Sequence, residues 1–273
     1  MTKTEFSLLM PVYGGDHAAF LRSAFESSVQ EQTLRPSEVV LVQDGPVGQE
    51  LTAQLDALVR ESPIPVVRVE LAENQGLAAA LTAGIAACSH DIVARMDADD
   101  VSFPDRFERQ LALIEQGFDL VGTGLVEFEG SAEELGRARV TPHGDQIAHD
   151  AQFRSPFNHP TVVFRRDAVV RAGGYQPLGM MEDYWLWARM IADGARVENL
   201  TDPLVAYRVD AGAYRRRGGW EQLRTEFALQ RAMRRIGFIS RRQYVRNIVV
   251  RGAYRLTPTF VRRGAYRLAF LSR

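Results

Sequence analysis

At 273 residues, 46% of them hydrophobic, the chain can bury a substantial core and form one large domain or a domain with an appendage. Its single cysteine, Cys88, excludes an intrachain disulfide and fits a reducing compartment, and no run reads as a secretory leader or a membrane span. The net charge of −1 hides a partition: residues 215–273 hold 16 Arg and 2 Glu, a surplus of +14, while residues 1–214 carry −15, which predicts an acidic body with a basic tail that seeks an anionic partner.

The first half alternates strand and helix. Apolar runs at 6–12, 38–44, 65–71, 91–97 and 119–123 read as buried parallel strands. Helical patterns lie between them at 18–30, 49–60, 77–88 and 104–115; the last opens with Pro104 and Asp105, good chemistry for a helix start. This order predicts a parallel sheet with helices on both faces. A polar stretch at 129–150 breaks the rhythm. A second block then predicts a strand at 161–165, helices at 167–172 and 182–193, and two strands at 196–200 and 204–209. Beyond Gly218 and Gly219 the chain reads as helical, and the hexapeptide Arg-Gly-Ala-Tyr-Arg-Leu occurs at 251–256 and again at 263–268, too few copies for a repeat architecture.

The densest chemistry is Ala-Arg-Met-Asp-Ala-Asp-Asp at 94–100. A strand that ends in Asp97-x-Asp99 sets two carboxylates at the carboxyl edge of a sheet, where open α/β folds bind ligands, and period-two geometry points both to one side. Adjacent carboxylates repel unless a cation sits between them, and hard oxygen ligands suit Mg²⁺ or Mn²⁺, which commonly also hold phosphates. A solvated acidic turn is the plainer alternative. An EF-hand loop counted from Asp97 reaches Glu108 at position twelve but fails at Val101, Ser102 and Pro104. Neither a dinucleotide Gly-x-Gly-x-x-Gly nor a phosphate loop Gly-x-x-x-x-Gly-Lys occurs.

Further motifs stand in register with this one. Pro11-Val12-Tyr13 closes the first strand, and Val42-Gln43-Asp44-Gly45 the second. Asn74-Gln75-Gly76-Leu77 opens a helix, Asn158-His159-Pro160-Thr161 precedes a strand, and Glu182-Asp183-Tyr184-Trp185-Leu186-Trp187 opens a later helix. In this order and spacing the chain, from about residue 5 to about residue 210, resembles family 2 glycosyltransferases of the GT-A fold. The resemblance implies an α/β, Rossmann-like, mostly parallel sheet flanked by helices, followed here by a helical basic tail. It also implies an inverting transfer of a sugar from a nucleoside-diphosphate donor, a UDP-hexose above others, to a hydroxyl of a saccharide or lipid-linked saccharide. The domain reading is a catalytic unit at 1–214, with a nucleotide half at about 5–125 and an acceptor half at about 150–210, and an extension at 215–273.

Site roles follow from the same resemblance. Asp44 accepts the N–H of a uracil ring, or else forms the turn before Gly45. Tyr13, after Pro11, stacks on the base or packs on the core. Gly76 lets the chain start a helix close to the nucleotide, and Asn74 contacts it or organises the turn. Relatives often carry Arg-Asn where this chain has Leu81-Thr82; Arg95 is the substitute cation. Asp99 binds Mn²⁺ or Mg²⁺, while Asp97 contacts ribose or reaches the metal through water. Asp183, preceded by Glu182, is the general base, with a helix cap as the bland reading. Trp185 and Trp187 offer an apolar wall and a platform for the acceptor sugar, although residues two apart cannot both face one way on a helix. His159 is an acceptor contact or a structural residue. Relatives place a His two positions after Tyr-Arg; here Tyr207-Arg208 is followed by Val209 and Asp210. The triplet at 215–217 is a clamp on the diphosphate or the start of the basic tail.

Two other readings fit the sequence less well. A sugar-phosphate nucleotidyltransferase needs a cationic Gly-rich loop after the first strand, and Tyr13-Gly14-Gly15-Asp16-His17 lacks the cation. A non-enzymatic module for membrane or polyanion leaves the acidic motifs unexplained. The tail itself is amphipathic: Val245, Ile248, Val249, Gly252 and Leu256 follow helical spacing, and Arg246, Arg251 and Arg255 fall largely elsewhere, a pattern continued after Pro258. It predicts either a packed lid or a surface that lies on the inner leaflet of the cell membrane, in a protein expected in the cytoplasm. No motif for nucleic acid accompanies the charge.

Overall fold

The computed structural model describes residues 4–130, 132, 134–209 and 220–256. The first half is β1 (Ser7–Tyr13), α1 (Ala18–Val29), β2 (Glu38–Asp44), α2 (Gln49–Glu61), β3 (Val66–Leu71), α3 (Leu77–Ala87), β4 (Ile92–Arg95), β5 (Val101–Ser102) and α4 (Arg106–Glu115). Strand residues divide by parity, as a two-residue period requires. Leu8, Met10, Val12, Val39 and Leu41 pack with Leu21, Phe25, Leu51 and Leu55 of α1 and α2. Leu9, Val40 and Val42 pack with Ala80, Leu81 and Ile85 of α3 on the other face. Gly84 is required at that contact, since a Cβ there would lie 2.2 Å from Leu9 Cδ1.

The second block adds β6 (Leu120–Phe128), β7 (Leu135–Arg139), α5 (Gln146–Ala151), a 3₁₀ turn at His159–Thr161, β8 (Val163–Arg165), α6 (Arg166–Arg171), α7 (Glu182–Ala192) and β9 (Val197–Arg208). Nine strands form one sheet in the order β3-β2-β1-β4-β8-β6-β9-β5, with β7 paired to β6. The sheet is mixed. β3, β2, β1 and β4 run parallel, β8 is antiparallel to both β4 and β6, β9 is parallel to β6, and β5 and β7 pair antiparallel with β9 and β6.

Three elements differ from expectation. The strands expected at 196–200 and 204–209 are one strand, β9. Its pairing jumps from Thr123↔Leu200 to Gly124↔Pro203, so Thr201 and Asp202 bulge out and Pro203, which has no N–H to give, follows at the bulge. Gly124 accommodates the bulge, since a Cβ would meet the Thr201 carbonyl oxygen at 2.9 Å. β7 lies in the polar stretch that read as irregular. β4 stops at Arg95, so Asp97 and Asp99 stand in a turn and not on a strand. Strand alternation therefore does not align their side chains; the turn does.

Beyond the sheet lie α8 (Trp220–Arg235) and α9 (Arg241–Leu256). α7 is buried on two sides. Leu186, Trp187 and Met190 face the core beside α3, while Met181, Tyr184, Trp185 and Ala188 pack on Leu229, Met233 and Ile239. α9 is fixed by polar contacts: Asn247 Nδ2 donates to the Gln152 carbonyl (2.7 Å) and to Gln230 Oε1 (2.9 Å). The second copy of the repeated hexapeptide and the Arg triplet at 215–217 lie outside the described residues. Among the described residues no helix is long and apolar enough to cross a membrane.

Candidate active site

The acidic turn is held from beneath by Arg106, at the start of α4 and fully buried. Its Nη2 donates to the Pro160 carbonyl (3.1 Å) and the Arg95 carbonyl (2.6 Å), Nη1 to Ser102 Oγ (3.3 Å) and Nε to Gln110 Oε1 (3.1 Å). Burial, with Arg95 adding to it, pulls this guanidinium down to about 9. One side chain thus ties the end of β4, the start of α4 and the 3₁₀ turn together, and with them the backbone of Asp97 and His159.

Above this anchor, Asp97, Asp99 and Asp100 bring carboxylate oxygens within 4.8 Å of one another. Asp100 is fully buried: Oδ1 accepts the Arg208 N–H (2.9 Å), and Oδ2 has no partner among the described residues. Arg208 Nε donates to the Asp99 carbonyl (2.9 Å), with its guanidinium 3.7 Å from the Phe20 ring centre. β5 makes this contact, because its pairing with Val205 and Ala206 lays the turn beside the end of β9. Burial, then the Asp97 charge, pushes Asp99 up to about 6; burial pushes Asp100 well above the usual carboxylate range. Asp16, in the loop after β1, is pushed up to about 7 by burial, with Asp99 and Asp97 adding to it. A crowded all-oxygen set whose repulsion a cation would relieve, with one orphaned buried oxygen, fits a hard divalent ion.

Two cavities meet at this turn. The first, about 550 Å³, is lined by Pro11, Tyr13, Asp44, Asn74, Gly76, Asp97 and Asp99. Both Asp44 oxygens hold the opposite loop, accepting the N–H of Gln75 (2.7 Å) and of Gly76 (2.9 Å), and Asn74 Nδ2 donates to the Asp44 carbonyl (3.2 Å). Gly76 begins α3 at φ 86°, a conformation that favours glycine. Tyr13 is 51% exposed, with its ring close over Gly15, where a Cβ would lie 2.6 Å from Tyr13 Cζ.

The second cavity, about 690 Å³, is lined by Arg95, Asp97, His159, Glu182 and Asp183, and also by Arg139, Gln222 and Arg251. Burial pushes Asp183 up to about 6, against the Tyr184 N–H and Arg95, which lower it; burial pushes Glu182 up to about 7. Glu182 Oε2 has no partner among the described residues. His159 lies 2.8 Å from the Tyr175 hydroxyl, and burial followed by Arg95 holds it well below its usual range, so it is neutral. Arg95, 2% exposed, pairs with Asp97 and lines the second cavity, not the first, where a substitute nucleotide contact was expected.

Trp185 and Trp187 line neither cavity. Trp187 is fully buried between Phe157 and Tyr175, and Trp185 lies under α8 with its indole N–H on Gln176 Oε1 (2.9 Å). The expected sugar platform is absent from both positions because α7 is covered on two faces. Asp16, Tyr207, Arg106, Gln222 and Arg251 were not singled out from sequence as site residues; of these only Asp16, in the loop after a strand's carboxyl end, carried a positional signal. Cys88 is buried, its thiol pushed up to about 12, which makes it inert.

A mixed sheet flanked by helices, with an acidic turn between two cavities, is the arrangement of a GT-A-type fold, and comparison with known proteins agrees. The model of "Glycosyl transferase family 2" matches residues 7–174. The chain belongs to that family and is a glycosyltransferase. It is 38% identical to the amylovoran biosynthesis glycosyltransferase AmsE of Erwinia amylovora, over 96% of this chain and 97% of that one. It is 34% identical to the Escherichia coli UDP-Gal:alpha-D-GlcNAc-diphosphoundecaprenol beta-1,3-galactosyltransferase, over 96% and 95%. In fold it is similar to S. aureus TarS 1–349 in complex with UDP, with a TM-score of 0.64 and 16% identity, over 90% of this chain and 70% of that one.

Proposed function

We propose that this glycosyltransferase moves a hexose from UDP to a hydroxyl of a saccharide carried on a lipid diphosphate, inverting the anomeric carbon. The observation that carries the reading is that Asp97 lines both cavities: one holds Tyr13 and Asp44, the other Asp183. The relatives support it, since the E. coli enzyme is named for UDP-Gal and a diphosphoundecaprenol acceptor, and TarS has been crystallised with UDP.

Tyr13 stacks on the uracil, and the Asp44 oxygens, each holding one loop N–H, keep lone pairs for the base N–H. Asp97 and Asp99 would hold Mn²⁺ or Mg²⁺, which when bound supplies positive charge at the donor diphosphate. Asp183 takes the proton from the acceptor hydroxyl as that oxygen bonds to the anomeric carbon and the carbon–UDP bond breaks; the proton then passes to solvent. Glu182 lies beside it, and His159, neutral, is a hydrogen-bonding contact for the acceptor. No second nucleophile is required, which is why the outcome is inversion.

Residues 1–214 form the catalytic unit in this reading, with nucleotide and acceptor halves at about 5–125 and 150–210, and residues 215–273 the extension. The extension rests on the inner leaflet of the cell membrane, in the cytoplasm. Its support is the pattern of exposure: Trp220, Arg224, Phe227 and Arg231 share the outer face of α8, and Arg242, Val245, Arg246 and Val249 that of α9.

The test is consumption of UDP-hexoses with Mn²⁺. The parent should turn over one of them and lose this in EDTA, and Asp99→Ala should lose nearly all turnover while melting as the parent does. Undiminished turnover in EDTA or in Asp99→Ala overturns the metal assignment.

A further inference from the structure

Three arginines line the second cavity, and they are not equivalent. Arg95 is committed to Asp97. Arg139, at the end of β7, donates from Nε to Glu127 Oε1 (2.5 Å) and pairs with the same oxygen through Nη2, with its guanidinium 5.1 Å from the Tyr207 ring centre. Arg251, from α9, is pinned from behind: Nε donates to Glu226 Oε1 (2.6 Å) and Nη1 to the Phe153 carbonyl (2.8 Å), and the guanidinium lies 5.7 Å from the Phe153 ring centre. Glu226 is 1% exposed, yet the Arg251 side chain keeps 19% of its surface, and no described residue accepts from its Nη2.

A buried ion pair is weak evidence of a purely stabilising role, because its desolvation cancels most of its attraction. Here the pair does something a packed apolar pair would not: it holds a guanidinium at a cavity wall with its rotamer entropy already spent. Charge then dictates what that wall accepts. Asp97, Glu182 and Asp183 line the same cavity, so an anion that enters it is repelled by these carboxylates and attracted to Arg139 and Arg251. Guanidinium forks match phosphate oxygens.

We propose that Arg251 and Arg139 form a subsite for the diphosphate at the reducing end of the acceptor. This rests on the reading of a lipid-linked saccharide acceptor. In the single-sugar acceptor that the E. coli relative's name prints, the attacking hydroxyl and the diphosphate share one sugar ring, so a cavity that holds the base must also hold the phosphates. The extension thereby contributes to the site itself: Gln222 of α8 and Arg251 of α9 complete a cavity that the catalytic unit leaves open on that side.

The experiment is a titration by calorimetry with Mn²⁺ and saturating UDP, which occupies the donor cavity and the metal. The probes are citronellyl-diphosphoryl-α-N-acetylglucosamine and the neutral citronellyl α-N-acetylglucosaminide. The parent should bind the diphosphate at least tenfold more tightly. Arg139→Gln, and Arg251→Gln combined with Glu226→Gln so that both members of this pair lose their charge together, should each cut that preference at least fivefold. Affinity for the neutral glycoside should hold, and melting curves should show both variants folded. Equal binding of the two probes by the parent, binding of neither, or an unchanged preference in folded variants overturns the subsite. The glycosyltransfer reading is judged separately, by UDP binding and UDP-hexose consumption in the same preparation: consumption with equal treatment of the two probes removes the subsite alone.

Discussion

Asp183, the proposed base, has its pKa set by its position. It stands in the first turn of α7, where the helix dipole favours the carboxylate, yet burial dominates and pushes it up to about 6. Turnover should therefore rise with pH through about 6 and level off above it, and Asp183→Asn should lose roughly 10²–10⁴-fold in turnover with UDP affinity unchanged. Normal turnover with weakened UDP binding would place Asp183 in the nucleotide cavity instead. Stability should move the opposite way. The folded carboxyl holds its proton to about pH 6, whereas an unfolded Asp releases it near 3.9. Stability is thus lost as pH rises between those values, and Asp183→Asn should melt above the parent at pH 8, the gain fading toward pH 4. At this scale the carboxylates were legible because polar residues beside apolar runs stand out. The two tryptophans were not, since three aromatics in four residues do not say how many faces of the helix are covered. Arg106 was hidden for the opposite reason: an arginine after Pro-x at a helix start reads as solvated surface.

Among elements, the turn at 97–100 depends on contacts from α4, β5 and β9 that are distant in sequence. Arg106→Met orphans the carbonyls of Arg95 and Pro160, at about 1–3 kcal/mol each. Urea unfolding should show a loss of at least about 2 kcal/mol, with weaker metal-dependent UDP binding; a midpoint equal to the parent's would remove Arg106 as the anchor. The helices and strands of the first half lie within a few residues of their expected bounds, because β1, β2 and β4 are plain apolar runs; β3, expected to be buried, is instead a half-buried edge strand that admits Arg68 and Glu70. β9 was misread at Thr201-Asp202-Pro203, where local composition signals a turn but pairing with β6 carries the strand through a bulge. β5, at two residues, is too short to carry any periodicity.

The charge partition along the chain was legible as a whole-molecule property, but not which face of each C-terminal helix would bear it. α8 and α9 turn apolar and polar anchors inward and leave Arg mixed with Trp, Phe and Val outside. Each Arg near an anionic surface contributes on the order of 1 kcal/mol. The protein should cosediment with vesicles of anionic lipid, less so as salt rises, and Arg224→Glu with Arg231→Glu and Phe227→Ser should release it. Equal binding to neutral vesicles, or release by none of these changes, would count against the membrane surface. Point variants are preferable to truncation, because removing α8 strips Leu229 and Met233 from the buried side of α7.

Leu77, Asp97 and Tyr207 belong to the walls of both cavities. A partition shared by two compartments cannot shift for one occupant without reshaping the other, so in the proposed reading donor and acceptor should be thermodynamically linked through these three side chains. Whatever factor UDP imposes on acceptor affinity, the acceptor must impose on UDP. In that reading the affinity for the spent nucleotide should differ before and after the glycosylated product has left, which UDP titration with and without product would measure.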